Sequence, residues 1–124
     1  MTYIINAPAF QAGTTINANP PALTDATIPQ LAALFDLTEQ LEHTLLGFVS
    51  QPRAEGVPAD RADELMLAFD EERLAIVKEM RTRRPATPVE AERRMAVLVR
   101  HALADGESVR GVLQVALECA AERH

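Results

Sequence analysis

The chain has no tryptophan, one tyrosine, one cysteine, and no lysine or arginine before Arg53. Each scarcity removes a class of protein. With Cys119 alone, no intramolecular disulfide can form, which fits a reducing cytosol and a cytoplasmic setting. A secretory signal opens on lysine or arginine ahead of an apolar stretch, and the first 52 residues carry neither. No run approaches the roughly 18 to 20 apolar residues of a membrane helix, so no membrane partner is expected. Four Phe and one Tyr leave few platforms on which bases could stack. The 18 acidic and 12 basic residues give a net charge of −6, with the basic residues interleaved among acids. No broad positive field results, which speaks against nucleic acid as a partner. Five scattered glycines build no phosphate-cradling loop, and Ser50 and Ser108, the only serines, sit in no strand-turn-helix elbow. No cofactor is expected.

What remains is a chain of 124 residues, 48% of them apolar, enough for one domain with a real core. It divides near residue 27. Residues 1–27 hold Thr, Asn, Pro and Ala without helical period, and Pro8, Pro20 and Pro21 would interrupt one. Tyr3, Ile5, Phe10 and Ile16 give this nearly uncharged stretch apolar anchors. The expectation is an extended N-terminal arm over 1–27 and a helical bundle domain over 28–124.

Four helices are predicted. The first runs from about Ile28 to Val49, opened by a Thr27/Gln30 capping box, with Ile28, Leu31, Leu34, Phe35, Leu41, Leu45 and Phe48 as its apolar stripe. The second runs from about Pro58 to Arg83, burying Ala62, Leu65, Phe69, Ile76 and Met80. Thr87-Pro88-Val89-Glu90 then places Thr at the N-cap, Pro at the first helical position and Glu at the third, and the third helix runs to about Ala104. Asp105-Gly106 supplies the stop. The fourth helix, about Glu107 to Glu122, is apolar around most of its circumference and is expected to be enclosed, either by this domain or by another copy. The fold class is all-α, an up-and-down four-helix bundle.

Candidate chemistry is sparse. Glu39/His43 and His101/Asp105 each lie four residues apart, but a di-iron bundle wants Glu-x-x-His, and Gln40 and Leu98 stand where those Glu would be. His43 is expected to face water, and His101 to bond Asp105 at a helix end. Asp63, Glu64, Asp70, Glu71 and Glu72 resemble the carboxylate face of all-α metal-dependent nucleotide pyrophosphohydrolases, which hold Mg²⁺ against phosphates. The Glu-Glu-x-x-Glu pattern of those enzymes breaks here, since Arg73-Leu74-Ala75 follows Glu72. Arg81, Arg84, Arg93 and Arg94 gather around the turn between helices two and three and are candidate anion ligands. Against this stand the four-residue pairs Glu79/Arg83 and Glu90/Arg94, which would neutralise the helix ends.

The stretch Ile76–Leu103, a helix, an Arg-Pro-Ala-Thr-Pro turn and an Ala/Arg-rich second helix, resembles part of a group of small proteobacterial helical proteins. Those carry a Pro-Ala-Thr-Thr turn, with Pro88 here in place of the second Thr. The resemblance implies a helical hairpin only. The reading of the whole is a non-enzymatic, homodimeric interaction or regulatory protein, whose candidate contact residues are Tyr3, Ile5, Phe10, Ile16, Val112 and Val115. The alternative is the pyrophosphohydrolase-like enzyme.

Overall fold

The computed structural model describes residues 22–122, and these are all-α. A one-turn 3₁₀ helix, Leu23–Asp25, leads into α1 (Ile28–Val49), α2 (Val57–Thr82), α3 (Pro88–Ala104) and α4 (Val109–Ala121). Most of the arm expected over 1–27 lies outside the described residues. Residues 23–26, assigned to it from sequence, instead pack with the bundle. Leu23 and Ala26 lie against the core, and the Arg83 guanidinium donates to the carbonyls of Leu23 at 3.0 Å, of Thr24 at 2.9 Å, and of Ala26.

The helix starts are local chemistry. At α1, Thr27 N–H donates to Gln30 Oε1 at 2.8 Å and Gln30 N–H donates to Thr27 Oγ1 at 3.2 Å, a complete capping box. At α3, Glu90 N–H donates to Thr87 Oγ1 at 3.1 Å, but Glu90 Oε1 accepts from Ala86 N–H at 2.9 Å rather than from Thr87. The fourth helix starts later than expected, because Ser108 is its cap, accepting from Gly111 N–H at 3.1 Å. The third helix stops where Gly106, at φ 78°, allows Glu107 N–H to reach Ala102 O at 3.0 Å and Gly106 N–H to reach Leu103 O at 3.2 Å.

α1 and α2 form a long hairpin, and α3 packs on both, with α4 laid on α3. The core joins Ile28, Leu31 and Phe35 of α1 to Ile76, Val77 and Met80 of α2, Val97 and Leu98 of α3, and Cys119 of α4. Full burial of side chains such as Phe35, Leu31 and Ile76 stabilises by roughly 1.5–3 kcal/mol each. The core occupies one end of the hairpin. Every buried residue of α1 lies between Ile28 and Glu42, and on α2 only Ala62 is buried before Ile76. Toward the α1–α2 turn, Leu46, Val49, Val57, Leu65 and Leu67 are exposed, so Leu65 is not the inward residue that its spacing predicts.

Enclosure of the fourth helix by its own domain does not occur. Cys119 is the one buried residue of α4, while Val109, Leu113 and Leu117 are 77, 57 and 65% exposed. With 13 residues packed on a single neighbouring helix, α4 can bury only one side.

Candidate functional site

Polar side chains from three helices meet at the edge of the core, and two of them stand where periodicity asks for apolar residues. Along the inner face of α1, Ile28, Leu31 and Phe35 give way to Thr38 and Glu42, both buried. The Thr38 hydroxyl donates back to Phe35 O at 2.8 Å, which satisfies it locally. Glu42 has no such local partner and pairs across the hairpin with Arg73 of α2 at 3.1 Å. Arg73 also holds Asp70 at 3.2 Å. On the α3 side, Arg100 binds Asp36 at 2.7 Å and Glu39 at 3.3 Å, with its guanidinium 4.9 Å from the centre of the Phe35 ring.

His101 follows Arg100 and is buried. At the helix end Asp105 N–H donates to His101 O at 2.9 Å, but no side-chain bond joins the two: Asp105 is exposed, and His101 Nδ1 has no partner among the described residues. The Nε atoms of Arg73 and Arg100 are likewise buried without partners there.

The electrostatics follow from this burial. Desolvation and the neighbouring Asp70 carboxyl push the Glu42 carboxyl up to about 7, against the pull of Arg73. Burial pushes the His101 imidazole down, and Arg73 and Arg81 add to that while Asp105 opposes it. Both shifts favour the neutral forms of Glu42 and His101. The clefts at the α2–α3 turn, beside α4 and along α1 are lined by residues other than Glu42, Arg73 and His101. The arrangement ties helices together.

The four candidate anion ligands are not gathered in one place. Arg94 is buried, and its guanidinium is fully engaged. It donates to Met80 O at 3.1 Å and Arg81 O at 3.2 Å, and pairs with Glu122 at 2.7 Å. The Glu90/Arg94 pair expected from spacing is absent, whereas Glu79/Arg83 forms at 2.8 Å. Arg81 shares a cleft with Arg94, beside Cys119 and Glu122, and a smaller one with Arg84. Arg93 faces the other way, lining a shallow cleft against Pro29, Ala33 and Asp36 of α1.

Carboxylates Asp63, Glu64, Glu71 and Glu72 are exposed, and Asp70 is held by Arg73. Among the described residues, no three His, Cys, Asp or Glu side chains are grouped so as to hold a metal ion. His43 is exposed, and burial pushes the Cys119 thiol up, away from the reactive thiolate.

Of the contact residues read from sequence, Tyr3, Ile5, Phe10 and Ile16 lie outside the described residues. Val115 packs against the core and Val112 is half-buried. The open apolar side of α4 is instead Val109, Leu113 and Leu117, at four-residue spacing. The signal for this was in the sequence, since Val115 and Cys119 share the face that a single packing partner covers, but which face turns inward is decided by α3. No helix among the described residues is long and apolar enough to cross a membrane. No family model, curated protein or solved structure matches the chain.

Proposed function

We propose that the chain is a non-enzymatic helical interaction protein that works as a homodimer, with α4 supplying the contact. One observation carries the reading. Val109, Leu113 and Leu117 form an apolar stripe on a helix whose other side alone is packed, each more than half exposed. Scattered exposed leucines are ordinary, but a stripe at i, i+4, i+8 on a terminal helix gives a second helix a seam to pack into. A two-fold arrangement brings the same stripe from both copies together. The engaged state of Arg94 also supports a structural rather than a ligand-binding use of the α2–α3 turn. A cytoplasmic setting goes with the lone, free Cys119.

Light scattering across micromolar concentrations tests this. A dimer mass is expected for the chain and a monomer mass for Leu113→Glu with its helical circular dichroism retained. A monomer mass for the unaltered chain at every concentration overturns the reading.

A further inference from the structure

A second apolar surface lies where the described chain begins. Ala22, Leu23 and Ala26 in and around the 3₁₀ turn and Ala33, Leu34 and Leu37 of α1 line a groove of about 580 Å³. The apolar strip continues along α1 to Leu41, and Leu37 and Leu41 are 48 and 37% exposed. Polar neighbours on this side are neutral, namely Gln30, Gln40 and Thr44. The charged groups of α1 point elsewhere: Glu42 toward Arg73, and Asp36 and Glu39 toward Arg100. Among the described residues that line the groove, Asp25 alone is charged.

Three facts select what covers it. The chain enters at Ala22, beside the groove, and Arg83, itself held by Glu79, pins the carbonyls of Leu23, Thr24 and Ala26, fixing that entry point. Residues 1–21 carry no charged side chain and include Tyr3, Ile4, Ile5, Phe10 and Ile16, matching a strip that offers apolar and neutral polar groups. Reach is ample. An extended chain spans about 3.3 Å per residue, so 21 residues cover roughly 70 Å against about 33 Å for the 22 residues of α1.

We propose that residues 1–21 of the same chain occupy the groove formed by the 3₁₀ turn and the Leu34–Leu37–Leu41 strip of α1. The segment is then an internal cover for α1, and α4 is left free for a second copy. The proposal is independent of the dimer reading, which stands or falls on mass alone.

The test places the photo-crosslinking analogue p-benzoylphenylalanine at Phe10 of the full chain and illuminates an equal mixture of ¹⁵N-labelled and unlabelled protein. Expected are crosslinks within one chain that map to residues 30–41. Crosslinks between chains, crosslinks to α4, or none at all overturn the proposal. In a second arm, Leu37→Asp, at a site already half exposed, should cut the yield at least tenfold while the helical circular dichroism stays unchanged. An undiminished yield in that variant also overturns it.

Discussion

Arg73 of α2 and Glu42 of α1 form an ion pair at 3.1 Å with 18 and 7% of their side chains exposed, so the α1–α2 hairpin closes over a charge pair and not over a leucine. Such a pair must offset the loss of hydration of both groups, and Asp70 divides the attention of the one cation between two carboxylates. Loss of hydration, with the Asp70 carboxyl beside it, outweighs the pull of Arg73 and favours the protonated form of Glu42.

Stability should therefore depend on pH through Glu42. Burial, with Asp70 beside it, pushes its carboxyl up to about 7 in the fold, against an ordinary value of 4.5. Between those values the native state keeps a proton that the unfolded chain releases, so this group's contribution falls as pH rises through the window and is level above it. At 1.36 kcal/mol per unit, the ceiling is about 3 kcal/mol. Burial of His101 acts with the opposite sign, removing stability as pH falls below the ordinary imidazole value of 6.5. Comparing the chain with Glu42→Gln at each pH cancels the His101 contribution. Urea melts from pH 5 to 8 should show the variant gaining on the unaltered chain as pH rises, and parallel curves would show Glu42 to titrate normally.

Arg94 should matter more than its partner. Arg94→Met leaves the carbonyls of Met80 and Arg81 without their donor and unties α3 from α2 and from Glu122 at the end of α4, at a cost of about 3 kcal/mol. Glu122→Gln keeps a hydrogen-bond acceptor at a half-exposed site, and its cost should stay below about 1 kcal/mol. Chemical denaturation of the two variants gives the comparison, and equal losses would place the weight on the salt bridge instead of the carbonyls.

Thr87→Ala should destabilise by about 1 kcal/mol, since the hydroxyl satisfies Glu90 N–H at the start of α3. The shift in melting temperature should be roughly 3 to 5 °C. An unchanged calorimetric midpoint counts against a working cap.

Gly106→Ala should cost about 1–2 kcal/mol, because a left-handed backbone at φ 78° places a Cβ against the neighbouring carbonyl. Gly106→Asn should cost less, since Asn tolerates that region, and the order of the two midpoints in a thermal melt checks the assignment.

These features were legible from sequence to very different degrees. Thr27 with Gln30, Thr87 with Glu90, and Gly106 announce helix ends because a cap involves groups three or four residues apart. Glu42 does not announce itself. The periodic stripe of α1 points to Leu41, and nothing near Glu42 in the chain says that Arg73, 31 residues on, will meet it. Arg94 shows the same limit, since spacing offered Glu90 while packing chose Glu122, 28 residues away. For α4, uniform hydrophobicity indicated enclosure, yet the helix found one neighbour and left a side open. Helix caps can be read directly, whereas the side-chain pairs Glu90/Arg94 and His101/Asp105 gave way to contacts set by packing.

The unequal lengths of the helices have a mechanical consequence. At 1.5 Å per residue, α2 is about 39 Å long and α3 about 26 Å, and the core clamps the hairpin at one end only. The turn at residues 50–56 is therefore the tip of a cantilever, anchored at Ile76–Met80 and supported by the two helices of the hairpin itself. A beam held this way opens from its tip. Backbone amides on one continuous helix should then exchange with solvent on a gradient, fastest in the first turns of α2 and slowest beside Ile76, Val77 and Met80, without any break in the helix between them.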